Sequence, residues 1–191
     1  MAIMSKITVI DYGFGNIASV VNMIEHVGGE AVVVSEPSKI RYAEKLLLPG
    51  VGAYDHGMQC LIDNKWVEVL SSAVLEAKIP ILGICLGMQL MCNSSEEGSL
   101  GGLAWIDATV SRFSFETAAG LKVPHMGWNP VTAVRGDAIL SPNKGDLERF
   151  YFVHSYYVEC ICQQDVILRS HYGHDFVAGF QRENIWGLQF H

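Results

Sequence analysis

The chain has 191 residues, half of them apolar, and a formal net charge of −7 with only 13 lysines and arginines. That length is enough for one domain with a core of two or three layers, and residues 1–191 are expected to form a single domain. The acidic balance, with no basic stripe, argues against nucleic acid as a partner. No stretch reaches the roughly 18 consecutive apolar residues of a membrane span, and MAIMSKITVI lacks the basic region and cleavage site of a signal peptide. A cytoplasmic protein with no membrane partner is therefore expected. The five cysteines, Cys60, Cys85, Cys92, Cys160 and Cys162, are odd in number and form no CxxC pair, which argues against a disulfide framework and a zinc ribbon. No metal or cofactor is expected.

In chain order, Lys6 to Asp11 reads as a buried strand that runs into Tyr12-Gly13-Phe14-Gly15-Asn16. A helix capped by Asn16 follows, with Ile17, Val20, Val21, Ile24 and Val27 spaced along one apolar face, and Gly28 and Gly29 end it. Gly13 to Ala18 also fits G-x-G-x-x-A between a strand and a helix, with Glu36 close after the next strand, Ala31 to Val34. That is a dinucleotide fingerprint, although tight strand-to-helix turns need glycine in any case. A short helix around Pro37 to Glu44 precedes a third strand, Lys45 to Leu48, which stops at Pro49-Gly50-Val51-Gly52. Two glycines around Val51 permit a concave row of backbone N–H groups. Trp66, Leu70, Ala73, Val74 and Ala77 recur at helical spacing as core packing.

Lys78 to Cys92, KIPILGICLGMQLMC, is a strand, a tight turn and a helix. Gly83-Ile84-Cys85-Leu86-Gly87 has the pattern of a nucleophile elbow with sulfur at its centre, the glycines permitting a crowded turn that pushes the central side chain outward. An arbitrary cysteine is more often a small buried hydrophobe; the flanking glycines and the strand-to-helix context favour a nucleophile. A helix N-terminus favours the attacking thiolate, so Cys85 is expected to ionise readily. The amide of Leu86 becomes half of an oxyanion hole, and that of Val51, at the same carboxyl edge of a parallel sheet, becomes the other half.

Beyond Glu96 helix signals become scarce. Ala108 to Phe113, Trp128 to Val134, Arg149 to Val153, Val166 to Ser170, Phe176 to Phe180 and Ile185 to Phe190 read as strands between polar turns. The expected fold is α/β: a doubly wound, mixed, mainly parallel sheet with an antiparallel extension in the second half. Amide chemistry at Cys85 needs a base. His26 lies on a helix, His56 follows the Val51 turn, and His171 and His174 read as a solvated loop. His125, His154 and His191 each close a strand-like segment and are the candidate bases.

Pro49-Gly50-Val51-Gly52, Gly83 to Gln89, Pro124-His125-Met126-Gly127-Trp128-Asn129, Tyr151 to Tyr156 and Gly187-Leu188-Gln189-Phe190-His191 together resemble the class I glutamine amidotransferases. With Asp11 to Asn16, DYGFGN, they are similar to the glutaminase subunits of imidazole glycerol phosphate synthase in histidine biosynthesis. The resemblance implies that Cys85 attacks the side-chain amide of glutamine, that His191 carries the proton, and that Val51 and Leu86 hold the oxyanion. Gly50, Gly52, Gln89, Glu97, His154, Ser155 and Tyr156 fall at positions that bind glutamine in similar proteins. It further implies a heterodimer with a (β/α)8 cyclase subunit, which receives ammonia through a tunnel and makes imidazole glycerol phosphate and an aminoimidazole ribotide. Tyr12, Phe14, Asn16, Met126 and Trp128 are then expected at the interface, and Val51, between two glycines, as a peptide that turns its N–H in or out when the partner is engaged.

In the family the closing motif runs on into Pro-Glu-Lys-Ser and a helix, and that glutamate orients the histidine. This sequence ends at His191, so no residue of it is assigned the third place, and a chain ending there is expected to act weakly because nothing fixes the imidazole tautomer. Two other readings share these motifs: a paralogous glutaminase feeding a synthase that amidates a surface sugar, and a catalytically dead binding or regulatory module. A papain-type protease is a weaker reading, since the C-G-x-C-W signature is absent.

Overall fold

The computed structural model describes residues 6–115, 120–134 and 148–191. In chain order its strands are β1 (Lys6–Ile10), β2 (Glu30–Val34), β3 (Leu46–Gly50), β4 (Ile81–Cys85), β5 (Ser94–Ser95), β6 (Ala108–Arg112), β7 (His125–Ala133), β8 (Arg149–His154), β9 (Tyr156–Cys160), β10 (Val166–Tyr172), β11 (His174–Arg182) and β12 (Ile185–Leu188). The α-helices are α1 (Ile17–His26), α2 (Tyr54–Asp63), α3 (Trp66–Ser71) and α4 (Leu86–Leu90). The strands form one sheet in the order β2-β1-β3-β4-β12-β11-β10-β7-β8, with β9 joined to β11 and carrying β6 and β5. From β2 to β12 the pairings are parallel. From β12 onward they turn antiparallel.

Strands of the parallel half are apolar on both faces because both faces are covered, and alternate residues serve opposite sides. Val9 of β1 and Leu47 of β3 pack with Ile24 of α1. Ile10, Leu46 and Leu48 pack on the other side with Tyr54 and Leu61 of α2 and with Trp66 and Leu70 of α3. Trp66, Leu61 and Leu70 are fully buried, each contributing roughly 2 to 3 kcal/mol of apolar transfer.

Helix α1 starts where Asn16 Oδ1 accepts from the Ser19 amide at 3.3 Å and closes at Gly28, whose φ is +83°. Val27, expected on its apolar face, lies past the last turn and is 73% exposed. The helix expected at Pro37 to Glu44 is a 3-10 helix at Pro37–Tyr42. The apolar stripe Trp66 to Ala77 divides into α3 and a π-helical turn, Ser72–Glu76. That wider turn shifts the angular register, so Ala77 leaves the buried face and is exposed.

Each of the six strands expected after Glu96 has a counterpart, with shifted ends. A seventh, β9, follows β8 after the single residue Ser155, with no Gly, Pro, Asn or Asp turn signal to announce a new strand. The chain bends at Ser155, so that β8 pairs with β7 while β9 pairs with β6. His171 is the last residue but one of β10 and His174 the first of β11, with Gly173 between the strands; His171 Nδ1 lies 2.7 Å from Asp175 Oδ1 and its side chain is 68% exposed, so the expected loop is a pair of strand ends, solvated at His171. The second-half core gathers Phe113, Phe152, Phe176 and Phe190, with His125 and His154 buried among these rings. Among the described residues no helix is long and apolar enough to cross a membrane.

Candidate active site

Strand β12 leaves the antiparallel half and lies parallel to β4, with Gly187 opposite Gly83 and Leu188 opposite Ile84. Three residues beyond Leu188 comes His191, and one beyond Ile84 comes Cys85. Both line a cavity of about 490 Å³, together with Val51, Gly52, Ala53, Leu86, Gln89, Glu97, Pro124, Val153, His154, Ser155 and Tyr156. The histidine is held by its own backbone, whose N–H donates to the Tyr151 carbonyl at 2.9 Å.

Cys85 adopts φ +54° and ψ −111°, a conformation that costs an L-residue on the order of 1 to 3 kcal/mol. The glycines around it make room for the turn. A Cβ on Gly87 would collide with the carbonyl oxygen of Leu48, and one on Gly83 would come within 2.8 Å of the Gly87 backbone. Gly52 is needed for a different reason: its φ is +105°, and a Cβ there would sit 2.7 Å from Cζ of Phe14.

The readily ionised thiolate expected from the helix N-terminus is absent from this geometry. Burial pushes the Cys85 thiol up to about 11, against opposing hydrogen bonds from the Leu86 amide and the Gln189 side chain, while the Glu97 carboxylate adds to the rise. Helix α4 has only five residues, too few peptide dipoles to outweigh desolvation. The resting nucleophile is therefore a thiol that must give up its proton to a base.

Of the three candidate bases, His125 is buried behind the cavity and does not line it. His154 does line it, but its Nδ1 is 2.7 Å from the Tyr156 carbonyl and its Nε2 is 3.2 Å from Nδ1 of His125. Both nitrogens of His154 are thus engaged. Burial holds His154 down near 3 and His125 near 4, so both are neutral at pH 7. His191 stands exposed at the cavity edge, and partial burial lowers it from the usual imidazole value. A neutral imidazole at the rim is competent to accept a proton.

Glu97 both faces the cavity and caps α2, its Oε2 accepting from the Tyr54 amide at 2.9 Å. The loop behind it is tied down by Asp55 of α2, whose carboxylate accepts the amides of Ser99 at 2.9 and 3.0 Å and of Leu100 at 3.0 Å. These bonds hold the Asp55 carboxyl below the usual range. Gly50, expected to touch glutamine, is fully enclosed at the end of β3, against the Gly87 amide and Leu86, and does not reach the cavity.

Of the expected interface residues, Tyr12 is a core residue, 1% exposed, its hydroxyl donating to the Pro49 carbonyl at 3.0 Å; burial keeps its ring from a partner. Phe14 is half-buried against His56, ring centroids 4.5 Å apart, and Asn16 is exposed. Met126 and Trp128 are each 62% exposed, and Met126 stands opposite Val153 of the cavity wall. Glu36, the acidic residue of the dinucleotide pattern, is paired with Lys39 at 2.6 Å. Sequence reasoning missed Asp55 and Gln189. The second stands two residues before His191 in the closing motif, where β12 has already ended in a bend, so strand alternation alone does not place its side chain.

A sequence model of the family described as glutamine amidotransferase class-I matches residues 8–191. The chain belongs to that family. It is 44% identical over 186 residues to imidazole glycerol phosphate synthase subunit HisH 2 of Methanococcus maripaludis, covering 97% of this chain and 90% of that protein. It is 48% identical over 185 residues to the protein of the same name from Pseudomonas aeruginosa, with the same coverage. Among solved structures, PurLQS from Thermotoga maritima superposes with a TM-score of 0.74 at 19% identity, over 99% of this chain and 88% of that one, a likeness of fold. As a class I glutamine amidotransferase, the chain sets an enclosed sulfur, an imidazole and the residues Val51 and Leu86 around one cavity, which suits attack on a small carboxamide.

Proposed function

We propose that this amidotransferase is the glutaminase subunit of an imidazole glycerol phosphate synthase, releasing ammonia from glutamine for histidine biosynthesis in the cytoplasm. The observation that carries the reading is Cys85 and His191 lining one cavity, at the ends of adjacent parallel strands that come from opposite halves of the chain. Sγ of Cys85 attacks the amide carbon of glutamine as its proton passes to His191. The Val51 and Leu86 amides hold the oxyanion. Collapse of the tetrahedral intermediate breaks the C–N bond, and His191 returns the proton to the departing ammonia. Water, deprotonated by the same imidazole, then hydrolyses the thioester to glutamate and restores the thiol.

Gln89, Glu97, Ser155 and Tyr156 surround the space left for the amino-acid end of glutamine, with Glu97 offering the negative charge that suits its ammonium group. The partner in this reading is a (β/α)8 cyclase subunit docked over the cavity mouth, so that ammonia passes on without meeting bulk water. Exposed Met126 and Trp128, with half-buried Phe14, suit the apolar centre of such an interface. Gly52, in the left-handed region, supplies the freedom for the Val51 peptide to turn.

Mixing the purified chain with a cyclase subunit and measuring glutamate release tests the reading. Expected are equal amounts of glutamate and ammonia, rising when the partner is added. Absence of glutamate, and no labelling of Cys85 by a glutamine-analogue diazoketone with the partner present, would leave only a binding module.

A further inference from the structure

We propose that Gln189 is a positioning residue of the nucleophile, its side-chain amide donating to Sγ of Cys85 in an orientation fixed by a buried run of hydrogen bonds. The inference rests on Cys85 being the nucleophile. Gln189 is completely buried, and its Nε2 lies 3.7 Å from the sulfur. An amide can present either oxygen or nitrogen at such a place, so the direction needs an anchor.

That anchor is the carbonyl of Tyr156, a group that can only accept. Gln89 Nε2 lies 3.1 Å from it, so the Gln89 NH2 must face that way. The second hydrogen of the same NH2 is directed at Oε1 of Gln189, 3.0 Å away. With its oxygen committed, Gln189 has only its NH2 left for the sulfur. The reverse orientation would set two NH2 groups against each other inside the protein and leave both unsatisfied.

The same Tyr156 carbonyl also faces Nδ1 of His154 at 2.7 Å. His154 therefore carries its proton on Nδ1, and its Nε2 accepts from Nδ1–H of His125 at 3.2 Å. Every direction from His125 to the sulfur is thus set by a group with no alternative. A donor aimed at sulfur stabilises the anion over the thiol and points one lone pair away from the substrate's path. The other titratable groups about the sulfur are Glu97, Tyr12 and His191, none of which supplies such a donor from the core side.

The test is the pH dependence of Cys85 alkylation by iodoacetamide, followed by mass spectrometry of the peptide that carries it, for the parent chain, Gln189→Met and Gln189→Glu. The Glu variant keeps an acceptor for Gln89 and so guards against loss of the fold, which melting curves monitor. Gln189→Met is expected to raise the apparent thiol pKa by about one unit, an alkylation rate about tenfold lower at fixed pH. Gln189→Glu is expected to raise it further, through added charge. A folded Met variant that alkylates like the parent overturns the proposal, whether or not the Glu variant shifts. Alkylation needs no glutamine, so a chain that failed as a glutaminase would still reveal whether Gln189 acts on the sulfur.

Discussion

Gly50 at the end of β3 stands directly opposite Cys85 at the end of β4 in the parallel register. The next residue along the chain is then Val51 on one side and Leu86 on the other, and both line the cavity that holds the sulfur; in the proposed reading their amides are the two oxyanion donors. Nothing in the two strands is catalytic by itself; their register makes them a pair.

Gly52→Ala tests how closely that pair must be held. The new methyl meets the Phe14 ring at 2.7 Å and sits at a φ of +105°, unfavourable for any side chain. The Val51 peptide must shift to relieve it. Removal of one oxyanion donor costs about a hundredfold or more in turnover, and a displaced donor should cost at least about tenfold in kcat with KM little changed. Steady-state glutaminase kinetics read both constants, and unchanged kcat would remove Val51 from the oxyanion site.

As the proposed base, His191 should set the acid limb of the activity profile. A base works only when neutral, and partial burial lowers its pKa from the ordinary value. The acid limb of kcat/KM should therefore have its midpoint below about 6.5, the usual imidazole value. His191→Ala should abolish that limb and most of the turnover, and Cys85→Ala should abolish all of it while the melting temperature is kept. A midpoint at or above that of a free imidazole contradicts the assignment.

The buried pair His125 and His154 should make the fold sensitive to acid. Their folded-state values, near 4 and 3, lie below an unfolded imidazole near 6.5. Between those limits the unfolded chain binds more protons, so stability falls as pH drops from about 6.5 towards 4. Each tenfold change in proton affinity is worth about 1.4 kcal/mol. By the acid end of the range His154 then costs the fold on the order of 3 kcal/mol, and His125 less, because solvent screens its charge more. Melting temperature should decline steadily from pH 7 to pH 5, and a His125→Phe, His154→Asn double variant should flatten the slope. An unchanged slope would place the acid lability elsewhere.

Asp55 makes no contact with the cavity, yet its carboxylate clamps the loop that follows Glu97. Asp55→Ala frees the amides of Ser99 and Leu100, and Glu97 loses its fixed height over the cavity floor. KM for glutamine should rise several-fold with kcat nearly kept, whereas Glu97→Gln should raise KM further by removing the charge itself. Equal KM in the parent and Asp55→Ala would show that the loop is held without the clamp.

Much of this molecule was written locally. The spacing of Ile17, Val20, Val21 and Ile24 along one helix face, the closing glycines after α1, and the elbow around Cys85 all involve residues within a few positions of one another, where sterics and periodicity act directly. The strand candidates of the second half were visible for the same reason, as was the cysteine itself. Where local pattern misled, longer-range packing had intervened: Tyr12 looked like a surface aromatic in a turn, but the hydroxyl reaches the Pro49 carbonyl and the ring fills the core.

Only the tertiary structure decided which strand lies beside which. Side-chain alternation tells a segment that it is a strand but carries no address for its neighbour, because backbone hydrogen bonds are the same along every edge and the choice falls to the burial of whole faces. The return of β12 to the side of β4, the break at Ser155 between β8 and β9, and the meeting of Gln189 with Gln89 and Cys85 across about a hundred residues belong to that choice. The sequence by itself supplied a sulfur, an imidazole and two amides; the packing of two half-sheets into one made them neighbours.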